Sequence, residues 1–381
     1  MKYYRYSALG CVEMKIAGFG VEEWLNVHER EAKYDLAQST ITSFSMNELQ
    51  NLTQADIYGQ LDEQKMNYGW IEGSPTFKKE VSQMYQNVDP DNILQTNGAT
   101  GANLLAIYSL IEPGDHIISV YPSYQQLYDI PRSLGAEVSF WKLREEKNWY
   151  PDIEELKELI RPDTKMICIN NANNPTGTIL DGKFLERVVA IAREVGAYIL
   201  VDEVYLPFDE SVDFAPIVDL YEKGISTNSL SKTYSMPGIR VGWTATNSEL
   251  ADIFRKYRDY TMICSGVFSD QMACLVLENK AKVLARNRKI VLDNLAYFKD
   301  WVEKTPKVSC VFPNGVSTSF VKLETEKSSL EFCRDLLKDT GVLLVPGEAF
   351  DVPGYARLGY CAPHATLTKG LEVLGAYLQD N

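Results

Sequence analysis

The chain is short of histidine, of paired cysteine and of positive charge, and each shortage argues against a class of chemistry. Only three histidines occur in 381 residues, His28, His116 and His364, none at metal-ligand spacing from another. The sequence therefore points neither to a histidine-based metal site nor to a Ser-His-Asp triad. Seven cysteines, from Cys11 to Cys361, are scattered, odd in number and without a CxxC pair. That pattern suits reduced thiols better than a disulfide framework or a zinc site. Lys and Arg total 38 against 52 Asp and Glu, a formal net charge of −14. Nucleic acid is disfavoured as a partner, because phosphate contacts need clustered basic residues. No apolar run approaches the roughly 18 residues of a membrane span. The start, Met1-Lys-Tyr-Tyr-Arg-Tyr, lacks the apolar stretch of a signal peptide. A cytoplasmic protein with no membrane partner is expected.

What is present is ordinary for a globular protein: 45% hydrophobic and 24% charged residues. The length suggests two or three domains. From about residue 92, short β-branched apolar runs at 116–120, 165–169 and 197–201 alternate with helical patterns at 153–160 and 181–195. Such runs are strands buried on both faces, and their order predicts an open α/β sheet with right-handed crossovers. A charged helix is predicted over 279–304, followed by a smaller α+β unit with strands at 319–323, 342–345 and 356–359. Residues 1–45 are too few for a core of their own and should pack on that unit. The expected division is thus 1–45, a large domain over 46–278 and a small one over 279–381.

The run Ser229-Leu-Ser-Lys-Thr-Tyr-Ser-Met-Pro-Gly-Ile-Arg240 sets Lys232 among hydroxyls, with Arg240 eight positions on. A lysine amine forms an imine with an aldehyde, and hydroxyls with an arginine bind a phosphate. A small molecule carrying both groups is pyridoxal 5′-phosphate (PLP), the cofactor expected here. Asp202 follows the apolar run 197–201, at a strand end, where ligands of open α/β sheets bind. A carboxylate beside a pyridine nitrogen keeps that nitrogen protonated and the ring electron-accepting. Glu203 should alternate to the other face. Thr96-Asn-Gly-Ala-Thr-Gly-Ala102 precedes a helical run at 103–111, so its amides are available to a phosphate. Singly, each feature has a plainer reading: a solvated lysine, a turn-capping aspartate, a glycine-rich turn.

Together with Asn173-Asn-Pro-Thr-Gly177 and Val201-Asp-Glu-Val-Tyr205, these motifs make the chain resemble the fold-type-I PLP enzymes of the class I/II aminotransferase family. The resemblance spans residues 66–360. It implies an α/β fold, with a large, mostly parallel sheet covered by helices and a smaller α+β domain. It implies that Lys232 forms the imine and, once released, moves the substrate's α-proton. Ser229 and Arg240 match phosphate ligands, as do the amides of Ala99 and Thr100 and the Thr100 hydroxyl; Ser231 is a further candidate. Asn174 and Tyr205 match residues that hydrogen-bond the phenolic oxygen, and Tyr124, in Tyr121-Pro-Ser-Tyr124, one that stacks on the ring. Arg357, in Tyr355-Ala-Arg-Leu-Gly359, matches the clamp on the substrate α-carboxylate, with Asn174 beside it. Tyr68, in Tyr68-Gly-Trp-Ile-Glu-Gly73, matches a tyrosine reaching the neighbouring subunit's phosphate, which implies a homodimer with shared sites.

One segment departs from the family. Ordinary members carry a Gly-x-Pro-Asp-type turn where this chain has Asp35-Leu-Ala-Gln-Ser-Thr-Ile-Thr-Ser-Phe-Ser-Met46. This segment, with Pro122-Ser-Tyr-Gln-Gln-Leu-Tyr128 and Arg258-Asp-Tyr-Thr261, resembles the capreomycidine synthase branch. Enzymes of that branch act on a hydroxylated arginine derivative by elimination and cyclisation. The expected activity is amino transfer between L-α-amino acids and keto acids, with a PLP lyase or cyclase as the alternative. A PLP-binding transcriptional regulator would need a basic DNA-binding domain, for which residues 1–45 offer neither room nor charge.

Overall fold

The computed structural model describes residues 16–380, without the side chains of residues 60, 61 and 380. The expectations about Met1 to Tyr6, Cys11 and the rest of 1–15 lie outside the described residues.

Seven strands build the large sheet: Ile93–Asn97 (β1), His116–Tyr121 (β2), Glu137–Lys142 (β3), Thr164–Asn170 (β4), Tyr198–Asp202 (β5), Gly224–Ser229 (β6) and Val241–Ala245 (β7). Their order is β1-β7-β6-β5-β4-β2-β3. β7 runs antiparallel to both β1 and β6, and the remaining pairings are parallel. Alternation along the strands sorts the apolar side chains onto two faces. Ile118, Ile167, Ile169, Ile199 and Val201 join one core; Ile117, Met166, Cys168, Leu200 and Ile225 join the other. A helix covers each face. Gly182–Val195 sends Leu185, Val188 and Ala192 into the first core, and Gly98–Leu110 sends Leu105, Ala106 and Ile107 into the second. Helix Gly182–Val195 starts where the Asp181 side chain accepts from Phe184 N at 2.9 Å and stops at Gly196, whose φ is 71°.

The smaller antiparallel sheet comprises Val308–Cys310 (β8), Ser319–Leu323 (β9), Val345–Pro346 (β10) and Tyr355–Leu358 (β11), in the order β10-β11-β9-β8. The 25-residue helix Lys280–Lys304 lays Val291, Leu295 and Phe298 into the core that also holds Phe320, Val321 and Leu358. Residues 16–45 contact this part of the molecule. Tyr34–Asp35 pairs in parallel with Val342–Leu343, and Thr42 N donates to Cys361 O at 2.9 Å. The single strand predicted over 342–345 is broken at Leu344: its carbonyl instead accepts the Trp24 indole N–H at 2.8 Å. The chain thus changes partner, from Tyr34–Asp35 to β11.

A second correction concerns the glycine-rich turn, which opens the helix rather than preceding it: the helix begins at Gly98, not near residue 103. Gly98 has φ +68°, and a Cβ there would lie 2.6 Å from Arg240 Nη2. Only glycine admits both the backbone angle and the guanidinium. Gly242 in β7 is tighter still, since a Cβ would lie 2.4 Å from Gly98 C and 2.6 Å from Ala99 N. Both obstacles are backbone, so Gly242→Ala should cost about 1–3 kcal/mol. Gly238→Ala, with nothing within 4 Å, should stay within about 0.5 kcal/mol of the parent. Urea denaturation midpoints of the two variants check the contrast.

Candidate active site

Three neighbouring parallel strands end on the same cavity. Asn170 closes β4, Asp202 closes β5 and Ser229 closes β6, and all three line a space of about 1150 Å³. This is the carboxyl edge of the sheet, where open α/β sheets bind ligands. The connections that leave those strands supply Asn174, Tyr205, Ser231 and Lys232. Arg240, Ala99, Thr100, Tyr124 and Arg357 line it too.

Asp202 is buried. Its Oδ2 accepts from Asn103 Nδ2 at 2.7 Å, and its Oδ1 from Val204 N at 3.3 Å. Burial pushes its pKa up to about 6, against the pull of those two hydrogen bonds and of the Lys232 charge. Asn103 is itself fixed, because its Oδ1 accepts from Thr227 Oγ1 at 2.6 Å. Asn103 was not singled out in the sequence: an asparagine within an apolar helix gives no local sign of a partner at the end of a distant strand. Glu203 turns away, as alternation requires, and accepts from Ile217 N and Ser226 Oγ, each at 2.9 Å.

Lys232 is half-buried on the cavity wall, and its Nζ donates to Ser39 Oγ at 3.0 Å and to Thr40 Oγ1 at 3.4 Å. Burial, with Arg357 and Arg240 adding positive charge, pushes the amine down to about 8, while Glu22 and Asp202 oppose the shift. Tyr205 donates from its hydroxyl to Ser39 Oγ at 2.8 Å, and burial pushes its pKa up to about 12. Ser39 and Thr40 belong to the segment 35–46, flagged in the sequence only as a whole.

Arg357 is buried. Nη1 donates to Asn174 Oδ1 at 3.1 Å and Nη2 to Ala37 O at 2.9 Å, whereas Nε has no partner among the described residues. Arg357 lines the cavity, and a guanidinium there suits an anionic ligand. Asn174 N is anchored by Asn170 Oδ1 at 2.7 Å. Asn173 instead shapes the turn, its Oδ1 accepting from Thr176 Oγ1 at 2.8 Å. Past the end of β6, Ser231 N donates to Ser229 Oγ at 3.2 Å, and Arg240 Nη1 reaches Pro237 O at 2.9 Å and Ser231 Oγ at 3.5 Å. The Tyr124 ring lies 5.3 Å from that of Phe19. Tyr68 is not brought to the cavity; it is 81% exposed.

Helix-start amides, hydroxyls and Arg240 suit a phosphate; a lysine amine suits an aldehyde; a buried carboxylate suits a protonated ring nitrogen. The cavity therefore fits PLP. Comparison with known proteins agrees, for the profile of the family aminotransferase class I and II matches residues 32–374. The chain belongs to that family. An aspartate aminotransferase of Thermotoga maritima is 30% identical over 312 residues, 79% of this chain and 80% of that protein. A capreomycidine synthase of Streptomyces vinaceus is 25% identical over 375 residues, 97% and 96% of the two chains. A solved structure of a PLP-dependent aminotransferase from Streptococcus suis is 58% identical, superposes with a TM-score of 0.94, and matches 96% of this chain and 99% of that one. The protein is thus an enzyme of the PLP-dependent aminotransferases, with PLP as its cofactor.

Removing Asn103 tests the support beneath Asp202. Asn103→Ala takes away a hydrogen bond to the ionised carboxylate, so Asp202 should keep its proton to higher pH. PLP should then bind about tenfold more weakly at neutral pH, as expected from losing one hydrogen bond to a charged group. Titration of the visible cofactor band measures the change.

Proposed function

We propose that the protein moves the amino group of an L-α-amino acid to a keto acid, with Lys232 as the lysine that joins PLP. The observation that carries this reading is the convergence of the Lys232 amine, the Asp202 carboxylate and the Arg357 side chain on one cavity. PLP, when bound, supplies an electron sink for the bond broken at the substrate's α-carbon. Asp202 holds a proton on the ring nitrogen. Arg357, steadied by Asn174 and Ala37 O, takes the substrate carboxylate in its planar fork. Lys232, with its pKa lowered to about 8, is neutral often enough near neutral pH to lift the α-proton and return it. Ala99, Thr100, Ser229, Ser231 and Arg240 hold the phosphate, Asn174 and Tyr205 the phenolic oxygen, and Tyr124 the ring face.

We further propose a homodimer with shared sites, working in the cytoplasm. The chain divides at 45/46 and 278/279. Support for the dimer comes from the exposed Tyr58, Met66, Tyr68, Trp70 and Ile71, with Tyr260 and Ile263 also exposed. The loop's Gly69 packs near Ser265 O. Apolar side chains in such number favour an interface.

A second reading has one observation in its favour: Glu22, Glu29 and Asp35 also line the cavity. Three carboxylates suit a substrate with a guanidinium side chain. Together with the likeness to capreomycidine synthase, this keeps a cyclase acting on a hydroxylated arginine-like amino acid as the alternative.

A panel of L-amino acids, including arginine and 3-hydroxyarginine, separates the two. Amino transfer should convert the bound cofactor to pyridoxamine phosphate, and a keto acid should restore it. A product containing a new ring, with no pyridoxamine phosphate from any donor, would overturn the aminotransferase reading. For the shared site, mixing Lys232→Ala with Tyr68→Ala subunits should recover part of the activity, because one site in each hybrid has both wild-type residues. With subunit exchange verified, absence of recovery contradicts the placement of Tyr68 across an interface.

A further inference from the structure

Ser39 stands at the centre of the site, within the segment 35–46 that departs from the family pattern but with nothing to mark it among the hydroxyl residues of that segment. It is buried, and its single hydroxyl oxygen accepts from Lys232 Nζ at 3.0 Å and from Tyr205 OH at 2.8 Å. The backbone around it is tied on both sides. Leu36 N donates to Leu343 O at 3.1 Å, Ser317 Oγ to Ser39 O at 2.5 Å, and Thr42 N to Cys361 O at 2.9 Å. Ala37 O, two residues earlier, receives Arg357 Nη2 at 2.9 Å. The hydroxyl is therefore delivered by a fixed strap rather than a free loop. In the ordinary family pattern this segment is a glycine-proline turn, whereas here it offers hydroxyls at Ser39 and Thr40.

We infer that Ser39 is a positioning residue for the Lys232 amine, its oxygen holding the amine and the Tyr205 hydroxyl at one shared point. Lys232 would leave that oxygen on forming an imine, the aldehyde oxygen departing as water, and would return to it when released as a free amine. The inference rests on the reading of Lys232 as the imine-forming lysine.

An acceptor at 3.0 Å favours the ammonium over the neutral amine. The other charged or titratable groups around Lys232 are Arg357, Arg240, Glu22, Asp202 and Tyr205; of these only the Tyr205 side chain bonds Ser39, and losing that bond raises its already elevated pKa further, so it stays neutral over the pH range followed. Take the full-length chain resolved from its cofactor, mix it with PLP, and follow the imine band against pH. The wild-type rate should rise with a midpoint near the amine's value of about 8. In Ser39→Ala the midpoint should fall by about one pH unit, the expected size for losing a hydrogen bond to a charged group. Ser39→Thr, which keeps the hydroxyl, should restore it. If Ser39→Ala does not fold, Ser39→Cys, nearly the same size but a weak acceptor, takes its place and should show the same fall. An unchanged midpoint in the folded variant overturns the inference, as does uniform slowing at every pH. Borohydride reduction and peptide mapping of the wild type keep the two readings apart. No label on Lys232 overturns both, while label on Lys232 with an unmoved midpoint overturns only the role of Ser39.

Discussion

Withdrawing a lysine, a carboxylate and an arginine from bulk water into one cavity is the constraint on which the rest depends. Burial opposes charge, so it pushes Asp202 up to about 6 and Lys232 down to about 8. Both groups are drawn towards neutral pH, where proton exchange is most efficient. The protein offsets only part of the cost. Asn103 and the Val204 amide serve Asp202, Ser39 and Thr40 serve Lys232, and Asn174 and Ala37 O serve Arg357.

The fold meets this constraint by geometry. Parallel strands β4, β5 and β6 end side by side, so that Asn170, Asp202 and Ser229 share one rim. The antiparallel β7 brings Gly242 against the start of helix Gly98–Leu110, and Gly98 admits the Arg240 guanidinium. From the other side come Arg357 on β11 and the strap through Ser39.

Legibility in the sequence followed distance along the chain. The strands at 116–120, 165–169 and 197–201 were readable because doubly buried strands need continuous apolar runs. Lys232 was readable because Ser229, Ser231 and Arg240 lie close beside it. Asp202 and Asn174 gained meaning from their register with that lysine. Ser39 and Asn103 were not readable, because Ser39 meets Lys232 across 193 residues and Asn103 meets Asp202 across 99. No local pattern encodes such a contact. The helix start was misplaced for a related reason: Gly98 reads as turn punctuation until the Arg240 side chain it accommodates is seen. The break at Leu344 likewise depends on Trp24, whose indole lies 320 positions away in the chain.

A crystal structure of the protein grown with PLP tests the central claim most directly. The account predicts continuous density from Lys232 Nζ to the aldehyde carbon, an Asp202 oxygen within hydrogen-bond reach of the ring nitrogen, and the phosphate at the Ala99 and Thr100 amides with Ser229 and Arg240. Density joining PLP to another lysine, or a ring nitrogen without Asp202 beside it, would contradict it.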